Sequence, residues 1–343
     1  MDQRNSELRA MRRALVLAAA ADAPRGPNPR VGAVVLDPSG RPLAEGHHRG
    51  AGTEHAEVEA LRLAGDGARG ATVVVTLEPC NHTGRTGPCT EALIAAGVAR
   101  VVYAQTDPNP AAAGGRERLL AAGVEVDDGL LAEEAARLNT GWTFAMTQGR
   151  PHLTWKSAAT LDGRVAAADG TSRWITSAQA RAEVHDLRAR VDAVLVGTGT
   201  VLADDPALTV RDGSGDVVAG KQPLRVVMGE RELPATAQVL DDSAETLLIR
   251  SHDPVAALAQ LHERQVHTVL LEGGPTLAAA FVRAGLIDAV RWYVAPAVLG
   301  AGPSALADAG MVGIGQALRL QVVDVARVGS DVRIDARVPR LEG

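Results

Sequence analysis

Short apolar runs alternate along this chain with amphipathic segments and with turns rich in glycine or proline. Apolar β-branched runs predict buried strands, and apolar residues spaced by three or four positions predict helices. In the first part of the chain, this pattern predicts strands at residues 31–36, 43–46, 71–77 and 100–104, and helices at residues 7–21, 53–64, 90–96 and 115–122. Strands and helices in this order are typical of a layered α/β domain.

The pattern changes near residues 133–149, where a predicted helix runs into a polar connector ending in Gly149, Arg150 and Pro151. We place a domain boundary there, which predicts domains 1–149 and 150–343; a chain of 343 residues suits two domains. The second domain reads as a strand-rich α/β sheet, with strands at residues 152–158, 193–197, 224–227, 246–250, 267–271, 289–295 and within 318–338, and helices at 177–191, 254–264 and 276–284.

Composition excludes some classes of partner. The net charge of −6 and the 2% aromatic content argue against a nucleic-acid-binding surface. No apolar run has the length of a membrane span, so we expect no membrane partner. The chain contains 2 cysteines, too few for a disulfide framework, and free thiolates suit a reducing, cytoplasmic location.

Both cysteines fall in one polar stretch that has the residue types of a zinc site. His55 lies in T-E-H-A-E-V-E-A-L at residues 53–61, and Cys80 and Cys89 lie in T-L-E-P-C-N-H-T-G-R-T-G-P-C at residues 76–89. One imidazole and two thiolates make a three-ligand site that leaves a position open for water, as in catalytic zinc sites. Cys89 is at a predicted helix start, which lowers the pKa of a thiol.

Glu57 indicates which class of reaction this stretch could catalyse. Residues two apart do not share a helix face, so we expect His55 and Glu57 in the first turn of a helix that Thr53 caps, with Glu57 reaching the metal from another side. A carboxylate there can take a proton from water and pass it on, which predicts hydrolytic deamination of an amino-heterocycle. The alternative is a closed structural zinc site with His48 or His82 as fourth ligand.

The spacing of the cysteines departs from the generic C-x-x-C deaminase pattern, because eight residues separate Cys80 from Cys89. A loop of this length must project near the site. We expect Asn81, His82 and Arg85 to contact the substrate there, with Arg85 able to pair with a phosphate.

Motifs in the second half of the chain give weaker evidence for a particular function. E-G-G-P-T at residues 272–276 follows a predicted strand and opens a helix, which suits either a phosphate site or an ordinary tight loop. Arg188 and Arg211 could clamp a phosphate or be solvated. Lys156 lies in a predicted apolar strand. It is either a buried lysine with a function or a lysine of an edge strand without one.

Further motifs show a family resemblance. With P-N-P-R-V-G at residues 27–32 and D-P-N-P at 107–110, the first half resembles the pyrimidine deaminase of riboflavin biosynthesis. The second half is similar to the reductase of the same family in K-S-A-A-T-L-D-G-R at 156–164, W-I-T-S at 174–177, T-V-L-A-D-D-P-A-L-T-V-R at 200–211 and E-G-G-P-T-L at 272–277. Nearly the whole chain therefore resembles the bifunctional deaminase–reductase family.

The resemblance implies an N-terminal cytidine-deaminase-like three-layer α/β/α domain and a C-terminal dihydrofolate-reductase-like α/β domain. It implies Zn²⁺ and NADPH as cofactors and a phosphoribosyl-pyrimidine as substrate. Separately from the resemblance, we expect a homo-oligomer. The first domain would deaminate 2,5-diamino-6-(5-phosphoribosylamino)pyrimidin-4(3H)-one. The second would reduce the ribosyl chain of the product to ribityl.

By motif match, the resemblance assigns zinc to His55, Cys80 and Cys89, and proton transfer to Glu57. It places the deaminase substrate against Asn28, His48, His82, Arg85 and Asn109. In the reductase it assigns the cofactor to Ala158, Trp174, Thr200, Asp204, Gly274, Pro275, Thr276, Leu277, Ala278, Ala279 and Ala280. It assigns the reductase substrate to Ser172, Arg188, Leu208, Arg211 and Glu272, with Lys156 in the active-site strand as a candidate proton donor.

Three positions depart from the family pattern. Gly87 replaces a usual proline, Thr160 replaces a serine but keeps the hydroxyl, and Glu230 puts a negative charge where a strand usually ends near the cofactor. Two alternative functions stay open on the residues alone. One is a tRNA adenosine deaminase with an accessory second domain, and the other is a zinc-stabilised scaffold with a nucleotide-sensing domain, although a scaffold has no use for Glu57.

Overall fold

The computed structural model describes residues 3–20, 26–82, 87–220 and 222–339. It divides the chain into two compact units, Met1–Gly149 and Arg150–Gly343. Within the described ranges, the helices are too short or too polar to cross a bilayer. The two sites predicted from sequence fall in different units, so each unit is described by itself.

The first unit contains one five-stranded sheet with the strand order β2-β1-β3-β4-β5. Strand β1 is antiparallel to β2 and β3, whereas β3, β4 and β5 are parallel. Its strands are β1 (Gly32–Leu36), β2 (Pro42–His47), β3 (Thr72–Leu77), β4 (Arg100–Gln105) and β5 (Glu125–Asp128). Its helices are α1 (Gln3–Ala18), α2 (Ala56–Ala64), α3 (Cys89–Ala96), α4 (Gly115–Ala121), α5 (Ala132–Leu138) and α6 (Thr140–Gln148).

Alternation along the central strands makes this unit a three-layer sandwich, as predicted. One face of the sheet packs against α1 and α5, and the opposite face packs against α2, α3 and α4. Successive side chains of a strand point to opposite faces, so a strand covered on both sides needs a continuous apolar run. The first face presents Val34, Val74 and Val102, and the second presents Val35, Val73 and Val101.

Parallel pairing of β3 and β4 positions the first site. Leu77 of β3 lies opposite Gln105 of β4, at the carboxyl end of both strands. The turn that contains Cys80 and the loop that contains Asn109 therefore leave the sheet at the same edge. This is the edge at which open parallel sheets bind ligands.

The second unit contains an eight-stranded sheet with the order β12-β13-β11-β6-β10-β7-β8-β9. Six strands are parallel, and the terminal hairpin adds two antiparallel strands at one edge. The strands are β6 (His152–Thr160), β7 (Ala193–Gly197), β8 (Leu224–Met228), β9 (Thr246–Ile249), β10 (Thr268–Leu271), β11 (Ala289–Ala295), β12 (Gln321–Val328) and β13 (Asp331–Arg337). The helices are α7 (Ala178–Arg188), α8 (Thr198–Asp204), α9 (Pro254–Glu263) and α10 (Pro275–Arg283).

Helices cover both faces of the parallel strands. Helices α9 and α10 pack on one face through residues such as Leu258 and Phe281, and α8 packs on the other through Val201. Arg225 of β8 is fully buried, and its guanidinium donates to Asp241 Oδ1 at 2.7 Å and to Thr246 Oγ1 at 2.9 Å. A buried arginine of this kind is satisfied only by such a set of acceptors, so it fixes the loop at Asp241 to the sheet.

The α/β fold class is confirmed, with three differences in the elements. Strand β5 and helix α8 were not predicted, because β5 is a polar edge strand and α8 has only seven residues. The helix predicted near 133–149 is two helices separated at Asn139. The Asn139 side chain accepts from Arg30 N at 2.8 Å and donates to Arg30 O at 2.9 Å, which holds this residue outside helical geometry.

Candidate active sites

Three side chains of the first unit converge as the sequence predicted. His55 Nδ1 lies 3.1 Å from Cys89 Sγ and 3.6 Å from Cys80 Sγ. The three ligand atoms lie within 4.8 Å of one another, and both cysteines are buried. The residues come from different elements, since His55 precedes α2, Cys80 follows β3, and Cys89 begins α3.

The chemistry of these donors fits zinc. The hydrogen bond of the Cys89 thiol is the largest cause that lowers the pKa of Cys80 to about 4, so a thiolate is stabilised there. The Cys80 sulfur also accepts the backbone N–H of Cys89, at 3.5 Å. A thiolate, a second thiol and an imidazole at these separations match the soft N and S donor set that zinc prefers.

His55 itself is the N-cap residue of α2, and it makes no side-chain cap hydrogen bond. The prediction that Thr53 caps this helix is wrong, because its hydroxyl donates to Gly50 O at 2.8 Å. The backbone of His55 is extended, and its imidazole lies against the two cysteines instead of capping the helix. Glu57 then falls in the first turn of α2, as expected.

Glu57 is buried beside this cluster, with 4% of its surface exposed. Burial is the largest cause that raises the pKa of its carboxyl to about 7. The carboxyl also forms a hydrogen bond with the Cys89 side chain. A buried carboxyl group next to thiol and imidazole groups is placed to exchange protons, whereas most carboxyl groups are solvated at the protein surface.

Two predicted substrate residues, Asn28 and His48, contact each other. Asn28 Nδ2 lies 2.8 Å from His48 Nε2, and His48 Nδ1 lies 3.0 Å from Glu54 O. The amide can only donate through Nδ2, so Nε2 accepts and Nδ1 carries the proton to Glu54 O. Burial lowers the pKa of His48, which favours this neutral tautomer. Both ring nitrogens are engaged, and His48 is outside the ligand cluster found among the described residues.

The loop predicted to hold substrate is described in part. His82 Nδ1 is buried and has no hydrogen-bond partner among the described residues. Arg85 lies outside the described residues. Asn109, on the loop after β4, accepts from Ala111 N at 3.1 Å through Oδ1. His82 is thus a polar group that a bound molecule could satisfy.

In the second unit, three predicted residues form one charged cluster. Arg188 donates to both oxygens of Glu272, at 2.7 Å from Nε and 3.1 Å from Nη2. Lys156 Nζ lies 4.0 Å from Glu272 Oε2. The side chains of Lys156, Arg188 and Glu272 are only 18%, 14% and 8% exposed. Arg188 is therefore largely buried and paired with Glu272 rather than solvated, and its contact with the substrate stays a prediction.

Burial sets the charges in this cluster. Desolvation lowers the pKa of Lys156, while the Glu272 carboxylate acts in the opposite direction and Arg188 adds to the lowering. Burial opposes the charge of Glu272, yet Arg188 holds the pKa of that carboxyl below its ordinary value. The Glu272 carboxylate thus favours the protonated form of Lys156 and partly opposes the effect of burial on that side chain.

Predicted cofactor residues meet where β7 and β10 end. Gly274 N donates to Thr200 Oγ1 at 3.2 Å, which joins the start of α10 to α8. A Cβ on Gly273 would lie 2.6 Å from the end of the Leu277 side chain, so a larger residue here would have to displace that side chain. The turn leaves the start of α10 at the carboxyl edge of the sheet, as the phosphate-site interpretation requires.

Trp174 is an aromatic platform at the surface, with 68% exposure. The Arg181 guanidinium lies 4.3 Å from the ring centroid and that of Arg173 lies 5.8 Å from it. Arg173 Nη2 also donates to the carbonyl of Asp204, at 2.5 Å. These contacts link two predicted cofactor positions, Trp174 and Asp204, through Arg173.

The other residues predicted for the reductase site lie in turns, in the first turns of a helix or in the packed core. Ala278, Ala279 and Leu208 are buried in the core, so their side chains are not presented to solvent. Arg211 is on a turn, where Nη1 donates to Gly215 O at 2.9 Å. Ala158 packs beside Tyr293. Ser172 lies in the loop after β6, and Pro275, Thr276, Leu277 and Ala280 are in the first turns of α10.

The three departures from the family pattern have different structural settings. Thr160 uses its hydroxyl to accept from Arg164 N at 2.9 Å and to donate to Asp162 at 2.5 Å, so the replacement keeps a turn-forming group. Gly87 has open space where a Cβ would stand. Glu230 is exposed just beyond β8, so its charge is solvated.

Two buried carboxylates that were not predicted as site residues, Glu78 and Asp107, lie at the same edge as the cysteines. Glu78 follows the apolar strand β3 directly and precedes Pro79 and Cys80. A charged residue at the end of a fully buried strand is a signal that could have identified it. Burial raises the pKa of Asp107 to about 6.

Comparison with known proteins matches both halves of the chain. Residues 4–105 match the family described as cytidine and deoxycytidylate deaminase zinc-binding region. Residues 151–334 match the RibD C-terminal domain. The two matched segments fall within the two compact units and follow the same order as the predicted deaminase and reductase halves.

Relatives that match nearly the whole chain belong to the same family as the two matched segments. The chain is 54% identical over 307 residues to riboflavin biosynthesis protein RibD of Mycobacterium tuberculosis, covering 89% of this chain and 90% of the relative. It superposes on Acinetobacter baumannii RibD with a TM-score of 0.89 at 39% identity, covering 98% and 99% of the two chains. It superposes on a Thermotoga maritima diaminohydroxyphosphoribosylaminopyrimidine deaminase/5-amino-6-(5-phosphoribosylamino)uracil reductase with a TM-score of 0.88 at 33% identity, covering 98% and 99%. With both family models matched in order and relatives covering 89% to 98% of it, the chain belongs to the RibD family of bifunctional riboflavin biosynthesis enzymes, which join a zinc-type deaminase to a reductase.

Proposed function

We propose that the first unit deaminates 2,5-diamino-6-(5-phosphoribosylamino)pyrimidin-4(3H)-one by hydrolysis. In the same proposal, the second unit uses NADPH to reduce the ribosyl chain of the product, giving 5-amino-6-(5-phosphoribitylamino)uracil. The observation that carries the deaminase half is the cluster of His55, Cys80 and Cys89 with a buried Glu57 beside it. The deaminase and reductase activities for which the Thermotoga maritima relative is named support the choice of substrate.

His55, Cys80 and Cys89 would hold the zinc. When bound, zinc supplies a Lewis acid that lowers the pKa of a coordinated water to about 7, which makes a nucleophile available at neutral pH. The described residues offer three ligands at this place, which leaves a coordination position for water and substrate. This count favours a catalytic site over the closed structural site considered above.

Glu57 would move the protons of the reaction. Its carboxylate takes the proton of the attacking water and returns it to the leaving amino group, so that ammonia departs. Its place in the first turn of α2 keeps the carboxyl next to the ligands without adding a fourth one. General acid–base catalysis of this kind contributes about 10²- to 10⁴-fold to a rate.

Polar groups around this centre would orient the substrate. The neutral His48 accepts from Asn28, which fixes both side chains before substrate arrives. His82 and Asn109 stand on the two loops at the carboxyl edge of β3 and β4. We assign Arg85 to the substrate phosphate on charge and sequence position alone.

For the reductase, NADPH supplies the hydride when bound, so the protein must orient the reactants and provide a proton. We propose that Lys156 donates that proton to the sugar carbonyl oxygen, with Glu272 countering the effect of burial on its charge. The cofactor would lie along the turn of Gly273 and Gly274, with Trp174 and Thr200 at its sides. Ser172, Leu208 and Arg211 would border the substrate.

Several broader expectations belong to the same proposal. We propose a cytoplasmic homo-oligomer that acts on a small molecule rather than on nucleic acid. The acidic net charge of −6 and the scarcity of aromatic residues support the last point, and the whole-chain match to RibD proteins does not favour a tRNA deaminase. Light scattering of the purified chain tests the oligomer, and a monomer would contradict it.

The deciding experiment measures bound metal, ammonia release and NADPH oxidation on one preparation. Glu57→Gln should retain zinc and lose ammonia release by at least about 100-fold. The same variant should oxidise NADPH normally when given the deaminated substrate. Glu54→Gln is the matched control, because Glu54 is exposed at 47% on the same segment and pairs with Arg62.

Each unit can fail this test separately. Undiminished ammonia release in Glu57→Gln would remove Glu57 from catalysis. Absence of NADPH oxidation with deaminated substrate in the unmodified chain would leave only the deaminase proposal standing.

A further inference from the structure

Glu78 is a buried carboxylate that the proposed mechanism does not use. It lies at the end of β3, two residues before the ligand Cys80, and is 5% exposed. Both of its oxygens accept backbone hydrogen bonds, from Asp107 N at 3.2 Å and from Arg116 N at 3.1 Å. These two donors belong to the segment after β4, so Glu78 ties that segment to the zinc-binding turn.

A second hydrogen bond continues from Asp107 to Asn109. Asp107, which donates to Glu78, is itself buried, and its Oδ1 accepts from Asn109 N at 2.8 Å. Two carboxylates in series therefore fix the backbone of Asn109 relative to β3. Asn109 is one of the residues assigned to the deaminase substrate.

The series returns to the zinc-binding turn and closes a ring. Asn109 O accepts from Ala112 N at 2.9 Å, and Ala112 O accepts from Asn81 N at 3.1 Å. Asn81 directly follows Cys80, and its Oδ1 accepts from the Thr90 hydroxyl at 3.0 Å, one residue beyond Cys89. The ring consists of hydrogen bonds of 2.8 to 3.2 Å and of the covalent chain from Glu78 to Asn81, so displacing one member strains the others.

Close packing reinforces the ring. A Cβ on Gly115 would lie 2.0 Å from Pro79 O, so the start of α4 rests directly on the turn before Cys80. Among the described residues, neither Glu78 nor Asp107 takes part in an ion pair, and the carboxylates rely on backbone donors instead. Burying two carboxylates without a cation costs stability that neutral side chains would avoid.

We propose that Glu78 is a positioning residue for the deaminase, which holds Asn109 at a fixed place against the zinc-binding turn. The proposal rests on the proposed function in which Asn109 contacts the deaminase substrate. A purely structural Glu78 would stabilise the fold without any energetic dependence on the Asn109 side chain. The two roles differ in a quantity that can be measured, namely the coupling between the two residues.

Glu78→Gln is the informative change because it keeps size and removes one acceptor. A carboxylate accepts from both N–H groups, whereas an amide turns its own NH₂ toward one of them. Either the Asp107 bond or the Arg116 bond is lost, which loosens Asn109. We expect KM for the deaminase substrate to rise about 10-fold, equivalent to about 1.4 kcal/mol, while kcat stays within about threefold.

The experiment is a double-mutant cycle of Glu78→Gln and Asn109→Ala, with ammonia release as the assay and bound zinc measured on every variant. If Glu78 acts through Asn109, Glu78→Gln has no further effect on KM once Asn109 is alanine. Reductase turnover of deaminated substrate reports on the second unit and should stay unchanged. Glu117→Gln, an exposed change next to Arg116 on α4, is the matched control.

The outcomes separate the two proposals. Independent, multiplicative effects of the two changes, or an unchanged KM in Glu78→Gln, would overturn the positioning role. No effect of Asn109→Ala alone would instead remove Asn109 from the proposed substrate site. If Glu78→Gln loses zinc or fails to fold, Asp107→Ala breaks the same series one step later, and its coupling to Asn109→Ala decides the question.

Discussion

Replacing Glu272 with glutamine removes the carboxylate that lies between Arg188 and Lys156. The Lys156 Nζ and Glu272 Oε2 atoms are 4.0 Å apart. Two unit charges at that distance interact by about 4 kcal/mol when the effective dielectric constant is about 20. About a third of this energy, about 1.4 kcal/mol, is enough to move a protonation equilibrium by one pH unit.

The direction follows from the causes that act on Lys156. Burial and Arg188 lower the pKa of Lys156, and Glu272 is the group that raises it. Without the carboxylate, that pKa falls further and Lys156 loses its proton at a lower pH. A proton donor works only while protonated, so the alkaline limb of the reductase pH profile should move to lower pH by at least about one unit.

The assay is kcat/KM for NADPH oxidation with deaminated substrate, measured from about pH 6 to pH 10. The rate at the optimum should also fall, because Glu272 is assigned to the substrate, so only the position of the limb is diagnostic. Glu272→Asp keeps the charge and should leave the limb near its original pH. Glu245→Gln removes a surface carboxylate, 67% exposed and paired with Arg264, and should change nothing.

An active Glu272→Gln enzyme whose alkaline limb has not moved would refute this reasoning. It would mean that Lys156 is not the proton donor or that Glu272 does not set its charge. Lys156→Met separates these two cases. If this variant loses most of its activity and its pH profile no longer shows the alkaline limb, Lys156 is the proton donor and Glu272 does not set its charge.

Three further changes test other parts of the molecule. Cys89→Ser should bring bound zinc well below one equivalent after dialysis and abolish ammonia release, and a variant that keeps a full equivalent of zinc would remove Cys89 from the ligand set. Arg225→Met should lower the free energy of unfolding by about 1–3 kcal/mol, because the backbone carbonyls that accept from the buried guanidinium lose their donor, whereas the half-exposed Asp241 can be solvated; guanidinium denaturation measures this, and a loss below about 1 kcal/mol would contradict it. Trp174→Ala should raise KM for NADPH about 10-fold through loss of a stacking surface, and an unchanged KM would exclude Trp174 from the cofactor site.

Prediction from sequence worked best where the chemistry depends on residue type. The three ligands could be named because the chain has only two cysteines, both in one stretch with His55. Strand positions in β3 and β4 were also predicted within a residue or two, because strands buried on both faces read as continuous apolar runs.

Prediction failed where the outcome depends on partners distant in sequence. The contact of Arg188 with the substrate stays a prediction, but the pairing of its side chain with Glu272, 84 positions away, was not predicted. Nothing near Arg188 in the sequence indicates this partner. Thr53 has a typical capping side chain, but the backbone places His55 at the cap instead.

The sequence alone determined the α/β class, the zinc donor set with Glu57 beside it, and the family resemblance, because these depend on residue identities and local spacing. Only the tertiary structure decided which polar groups are buried and what each one contacts. The parallel pairing of β3 with β4 brings Glu78 within hydrogen-bond distance of Asp107, 29 positions away. Burial and long-range contacts of this kind set the charge and orientation of side chains, so they follow from the folded chain rather than from any local pattern.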